Sequence, residues 1–431
     1  MRRVSKCFPI AYPADFKKQL LRWAQQFREV AYLDSNQFPD VYHSMEAVLA
    51  ADAFTLIQTD GWNAFNRLEE YYNHTNDWLF GYLSYDLKND IENIHSQNVD
   101  ELNFPDLFFF QPKKIIFIEE NQVRFEYLSV CEDEIIPDFK EISATNCVKD
   151  SDQSPISIKE RVSIEDYQTG FNKMMQHIQR GDIYEVNYCM EFYAENTIIE
   201  PDTTFWNLNQ ISEPPFACFG KFNNHFVLSA SPERYLKKQG NRIISQPIKG
   251  TARRGTSPEE DQKYKNELRD NPKEQSENVM IVDLVRNDLS RTAVKGSVKV
   301  EELFGIYSFK QVHQMISTIV SEVATETNPI EILKTTFPMG SMTGAPKLSA
   351  MKIIEKTEKS KRGLYSGSVG YFTPEGDFDF NVIIRSILYN QQKKYVSLSV
   401  GSAITINANA IDEYNECLLK AQAMKKVLKQ C

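Results

Sequence analysis

Alternation with a period of two dominates this chain, and it forces extended strands that each bury one face. In residues 183–192, IYEVNYCMEF, the side chains of Tyr184, Val186, Tyr188, Met190 and Phe192 point one way. Those of Glu185, Asn187, Cys189 and Glu191 point the other. Residues 107–128 read as consecutive strands with a turn near Asn121, and residues 225–250 as a hairpin turning at Gly240. Helices intervene. Phe16, Leu20, Trp23, Phe27 and Val30 predict a helix within 14–30. Ile164, Tyr167, Phe171, Met174 and Ile178 predict another, opened by Ser163–Asp166 and closed by Gly181. Many strands joined by hairpin turns predict an α+β fold with large antiparallel or mixed sheets rather than a doubly wound parallel sheet. Residues 145–161 lose their apolar side chains and are the best linker candidate, dividing the chain into 1–150 and 151–431.

The 431 residues suffice for one large core or two domains of ordinary size. Basic residues number 49 and acidic ones 59, a net charge of −10, which argues against a basic surface for nucleic acid. The seven cysteines stand singly, with no C-x-x-C pair, which argues against zinc or dithiol chemistry and for a reducing compartment. The first residues carry charge with no apolar run behind it, and no stretch of about 18 apolar residues follows anywhere. The expectation is a cytoplasmic protein that binds neither membrane nor nucleic acid.

Three constellations could carry chemistry. Counting outward from Gly240 sets Glu233 roughly opposite Ile248 and Lys249 at the open end of the hairpin. The pair reads either as an ordinary cross-strand ion pair or as an acid beside a nucleophilic amine, with Arg253 and Arg254 as cations that depress the lysine pKa. Two predicted helices carry Glu-x-x-Glu, at Glu274 and Glu277 and at Glu413 and Glu416. Residues three apart share a helix face, so two such helices could offer oxygen ligands to one Mg²⁺; equally, acidic residues favour helix N-termini. The stretch FPMGSMTGAPK fails as a phosphate loop, because Gly340 and Gly344 are too close, Pro346 precedes Lys347, and Leu348 stands where a Ser or Thr is needed. A glycine-rich helix entry still offers N–H groups to an anion. Arg385, in the apolar run NVIIRSIL, needs a partner, and an anionic ligand is one.

In order, GDIYEVNYC, SASPERYL, PIKGTARRG, SENVMIVDLVRNDLSR, FPMGSMTGAPK, GLYSGSVGYF, GSAIT and DEYNECLLKA resemble the motifs of the chorismate-utilising enzymes, from about residue 163 to 426. Residues 1–150 match less well. The resemblance implies two large, mostly antiparallel sheets packed as a sandwich with helices outside, the two regions forming one intertwined unit. It implies a cleft that takes chorismate and Mg²⁺. Glu277 and Glu416 would be direct magnesium ligands, with Glu413 acting through water. Thr343, Gly344 and Ala345 would lie in the substrate pocket. Tyr365 and Arg385 would meet the enolpyruvyl carboxylate, and a turn at Gly401 would offer backbone N–H groups. His313 matches a histidine associated with pyruvate elimination in the members that form anthranilate.

Residue identity at two positions separates the reactions within this family. Members that add water carry a lysine base where this chain has Glu185, and members that form anthranilate read Pro-Ile-Ala-Gly-Thr where this chain reads PIKGT. Lysine at 249 marks the members that aminate chorismate. The resemblance then implies that Lys249 attacks ring carbon C2 while Glu233 protonates the departing C4 hydroxyl, and that ammonia displaces the lysine at C4. On this reading Glu233 starts protonated and Lys249 starts neutral, with a depressed pKa. No Gly-x-Cys-x-Gly occurs, so ammonia is expected from a separate glutamine amidotransferase subunit.

Overall fold

In the computed structural model, residues 2–42, 45–146 and 156–429 are described. Strand β1 (Arg3–Pro9) and helix α1 (Pro13–Ala24) precede β2 (Glu29–Asp34) and β3 (Ala47–Thr59). Helix α2 (Ala64–Thr75), β4 (Leu79–Leu83) and α3 (Lys88–Ile91) lead to β5 (Leu107–Glu119), β6 (Gln122–Leu128) and α4 (Ile135–Ala144). Then come β7 (Lys159–Glu160), α5 (Ile164–Gln179), β8 (Glu185–Ala194) and α6 (Pro201–Ser212). Five strands follow: β9 (Phe216–Phe222), β10 (His225–Ser231), β11 (Arg234–Gln239), β12 (Arg242–Gln246) and β13 (Ile248–Arg253). Helices α7 (Pro258–Arg269) and α8 (Pro272–Ser290) lead to β14 (Lys299–Ser308), β15 (Val312–Glu322) and α9 (Pro329–Thr336). The chain ends through β16 (Gly344–Ala345), α10 (Lys347–Thr357), β17 (Ser368–Phe372), β18 (Phe378–Val382), β19 (Ser386–Asn390), β20 (Tyr395–Ile404) and α11 (Ala410–Lys429).

Ladders between these strands are antiparallel, and they divide at β5 into two limbs. One runs β5–β3–β2–β9–β10–β19–β20–β8. The other runs β5–β4–β17–β18–β11–β12–β15, with β13 and β14 also on β15. The limbs face each other across an aromatic-rich core: Tyr82 of β4 meets Phe222 of β9 with ring centroids 4.8 Å apart, although these strands share no ladder. On the outer face of the first limb, α1, α5, α6 and α11 bury Leu20, Phe171, Phe205 and Cys417 in a second core. The fold is thus the α+β sandwich. Its two faces belong to one hydrogen-bonded network of 20 strands, because β5 is long enough to serve both limbs.

Local expectations hold where local chemistry decides. Ser163 Oγ accepts from Asp166 N (3.2 Å) at the start of α5, and β5 turns into β6 around Asn121. The helix expected within 14–30 stops at Ala24, and Val30 lies in β2, held between β3 and β9. Residues 147–155 of the linker candidate lie outside the described residues, as do Cys147 and Cys431. The other five cysteines are free thiols. No described helix is long and apolar enough to cross a membrane.

One buried cation ties the floor of the site together. Arg362, 6% exposed, donates to both carboxylate oxygens of Glu358 (2.7 and 3.0 Å) and to the carbonyls of Asn187 (2.8 Å) and Met342 (2.5 Å). Its guanidinium lies 4.5 Å from the Tyr85 ring centroid. Removing it strands a buried carboxylate. Arg362→Met is expected to lose about 3–5 kcal/mol of stability in urea unfolding, and adding Glu358→Leu should recover part of that. A loss below about 1 kcal/mol would show that the pair is not holding these segments.

Candidate active site

A cavity of about 650 Å³ opens between β13, α8, β20 and α11. Glu233, Lys249, Glu274, Glu277, Tyr365, Arg385, Gly401, Glu413 and Glu416 all line it. These residues come from segments spread over nearly half the chain, and the two limbs of the sheet bring them together.

A β-bulge aims Lys249. The ladder of β13 on β15 shifts register between Ile248 and Thr251, so Lys249 and Gly250 leave the regular alternation. Gly250 takes φ +98°, and a Cβ there would come within 3.0 Å of Glu274 Oε2. The carbonyl of Lys249 accepts from Asn278 Nδ2 of α8 (3.4 Å), and Asn278 in turn accepts from Ser317 Oγ (2.6 Å). Lys249 Nζ lies 2.5 Å from Glu185 Oε1, and both side chains are largely buried. Burial alone would push this ammonium down in pKa, but Glu185, Glu277 and Glu416 outweigh it and hold Lys249 above the ordinary lysine range.

That finding corrects the expectation of a depressed lysine. The arginines meant to depress it point elsewhere: Arg253 bonds the Tyr264 hydroxyl, and Arg254 grips Asp261 (2.8 and 3.0 Å) and the Phe309 carbonyl (2.7 Å). Lys249 instead pairs with the Glu185 carboxylate. Glu233, in the bend between β10 and β11, is 4% exposed. Burial raises its pKa to about 7, against the opposing pull of Ser341, the Ile248 backbone and Lys249. A proton on Glu233 near neutrality follows from that burial.

Carboxylates crowd the opposite wall. Asn271 caps α8 by accepting from Lys273 N (2.9 Å) and Glu274 N (3.4 Å), which sets Glu274 and Glu277 in its first turns. Helix α11 supplies Glu413 and Glu416. Lys273 Nζ stands 3.9 Å from Glu277 and 3.8 Å from Glu413, and Lys420 Nζ pairs with Glu416 at 2.5 Å. Burial raises Glu274 and Glu277, and burial with the Glu416 charge raises Glu413 to about 7. Burial would also raise Glu416, but Lys420 outweighs it and lowers that group. Hard oxygen donors with excess negative charge suit Mg²⁺. The side chains as placed do not close around an ion, since no trio of His, Cys, Asp or Glu among the described residues forms a metal-sized group.

Arg385 follows β18 rather than lying within a strand. It takes φ +52° between β18 and β19, and its carbonyl accepts from Ala230 N (3.1 Å). Its guanidinium forms no ion pair or hydrogen bond with a described residue, so it presents an unpaired cation to the cavity beside buried Tyr365. Gly401 lies in strand β20 opposite Cys189, not in a turn. Its carbonyl accepts from Lys420 Nζ (2.9 Å), and a Cβ there would come within 2.7 Å of Cys189 Sγ.

Four other candidates lie behind the wall. Thr343 is fully buried and donates to the Met339 and Gly340 carbonyls, while Gly344 and Ala345 form β16 against β8. Their neighbours Ser341 and Met342 line the cavity instead. His313 sits on β15 between the lining residues Val312 and Gln314, and its ring turns away to Asp261 (2.9 Å) and Ser308 (3.0 Å). Strand parity accounts for this. The sequence reading missed Glu185 as the partner of Lys249, and missed Lys273 and Lys420 as counter-charges. The inward parity of Glu185 was visible, but no local signal joins β8 to β13.

The family described as chorismate binding enzyme matches residues 21–426. An aminodeoxychorismate synthase of chloroplasts from Arabidopsis thaliana is 35% identical over 364 residues, covering 80% of this chain and 39% of that protein. This chain therefore spans about two fifths of that relative's length. An anthranilate synthase component I-like protein from Synechocystis is 32% identical, covering 81% and 72%. Aminodeoxychorismate synthase component 1 of Bacillus subtilis is 30% identical, covering 81% and 76%. The crystal structure of anthranilate synthase component I from Streptococcus pneumoniae superposes with a TM-score of 0.79 at 24% identity, covering 90% and 94%. The chain belongs to the family of chorismate-binding enzymes.

Proposed function

We propose that this chain is component I of an aminodeoxychorismate synthase, aminating chorismate at C4 to give 4-amino-4-deoxychorismate, a precursor of p-aminobenzoate and folate. One observation carries the reading: a lysine amine, not a water-activating base, stands in the cavity beside a buried acid, Glu233, that holds a proton near neutrality. Two of the relatives above bear the same name. The unpaired Arg385, with Tyr365, would bind the enolpyruvyl carboxylate. Glu277 and Glu416 would hold Mg²⁺, with Glu413 acting through water; the ion would neutralise the ring carboxylate of chorismate. A separate glutamine amidotransferase would supply ammonia.

In the chemistry proposed, Lys249 attacks C2, the ring double bonds shift along, and the C4 hydroxyl leaves with the Glu233 proton as water. Ammonia attacks C4, reverses the shift and expels Lys249. The seclusion of His313 behind β15 favours amination without loss of pyruvate.

Purified protein with chorismate, Mg²⁺ and an ammonium salt is expected to give aminodeoxychorismate and no pyruvate, by liquid chromatography with mass detection. Lys249→Ala should lower that turnover more than about a hundredfold. Anthranilate with pyruvate would instead support an anthranilate synthase component, and binding without turnover would support a non-catalytic subunit. A second expectation concerns pH. Glu233 must carry its proton, and its raised pKa keeps it protonated below about 7. With free ammonia held constant, kcat/KM for chorismate should fall as pH rises through about 7. A flat profile across that range would contradict the acid role.

A further inference from the structure

We infer that Glu185 is the base that frees the Lys249 amine for attack, a role that rests on the reading of Lys249 as nucleophile. Lys249 Nζ is ion-paired with Glu185 at 2.5 Å, and an ammonium so held has no lone pair to give. Its proton must pass to a group within reach of Nζ. Glu233, Glu274, Glu277 and Glu416 also face this lysine, but Glu233 has to keep its proton for the leaving hydroxyl, and the other three belong to the acidic wall. Among the described residues Glu185 alone pairs with Nζ, with its Oε1 at 2.5 Å.

The surroundings of Glu185 place it to receive a proton from Nζ. Its side chain is 2% exposed, and Oε2 is sealed from solvent with no hydrogen-bond partner. Lys249 satisfies Oε1, but a buried carboxylate oxygen without a donor is costly, and a neutral group lowers that cost. Proton transfer turns a buried ion pair into a neutral pair.

The glycine-rich segment holds this group in place. Tyr184 N donates to the Ala345 carbonyl (2.7 Å) and Asn187 N to the Thr343 carbonyl (2.8 Å), so β8 is clamped on both sides of Glu185. Gly344 permits the clamp: its φ is +147°, and a Cβ there would lie 2.2 Å from the Glu185 carbonyl oxygen. The segment that reads as part of a substrate pocket serves the base.

The cycle balances. Glu185 takes one proton from the Lys249 ammonium, and the freed lone pair forms the bond to C2. The C4–O bond breaks and the hydroxyl leaves as water with the Glu233 proton. Ammonia then bonds to C4, the C2–N bond breaks, and the released amine recovers the Glu185 proton. Glu233 takes the surplus proton from the new ammonium group. The sum is chorismate plus ammonia giving aminodeoxychorismate plus water.

The test compares wild type, Glu185→Gln, Glu185→Asp and Lys249→Ala in ammonia-dependent turnover, alongside chorismate binding by calorimetry. Glu185→Gln keeps size and hydrogen bonding but accepts no proton. It is expected to lower kcat by about a hundredfold or more while chorismate binding stays within about threefold. Glu185→Asp, which restores a carboxylate, should retain more turnover than Glu185→Gln. Wild-type kcat in Glu185→Gln, or equal losses in both variants with binding lost as well, would overturn the assignment. If Lys249→Ala is inactive while Glu185→Gln is unimpaired, only the base role falls. If Lys249→Ala turns over like wild type, the functional reading fails and takes this inference with it.

Discussion

The site depends on one ammonium held among carboxylates. Lys249 lies 2.5 Å from Glu185, both side chains largely buried, and it faces Glu233, Glu277 and Glu416 at the cavity. Between the two buried partners, Lys249 and Glu185, Coulomb attraction is strong because screening is weak, and so is the penalty for either charge left alone. Substituting one member therefore disturbs the protonation of the others, and the cluster acts as a unit.

The fold serves that cluster by rigid placement. A bulge re-aims Lys249, Asn278 pins its carbonyl to α8, and the Asn271 cap fixes where the acidic turns of α8 begin. Strand β8 brings Glu185 from the other limb of the sheet, clamped by the segment 343–345. Arg362 and Glu358 bind the same strand from below. The reactive groups sit on elements fixed by these ladders, which suits a reaction needing defined distances.

Much of this was legible in the sequence, because local chemistry decides it. Period-two alternation reports strands, Ser163 reports a cap, and counting from Gly240 places Glu233 near Lys249. Shared helix faces report the Glu274–Glu277 and Glu413–Glu416 pairs. What failed was long-range or broke a period. Glu185 and Lys249 lie on strands with no common ladder, so register counting cannot join them. The bulge at Gly250 sends Arg253 and Arg254 away from the lysine their sequence neighbourhood suggests. His313 faces the wrong side of β15 for the cavity by one residue of parity. Gly401 reads as a turn, yet its missing Cβ makes room for Cys189 within a strand.

The proposed covalent bond between Lys249 and the substrate is open to direct detection by mass spectrometry of the quenched protein. Protein mixed with chorismate and Mg²⁺, without ammonia, would be stopped in acid and digested. A peptide containing Lys249 and heavier by chorismate less one water is expected, absent from Lys249→Ala. Lys249 unmodified throughout turnover, with aminodeoxychorismate still forming once ammonia is added, would contradict it.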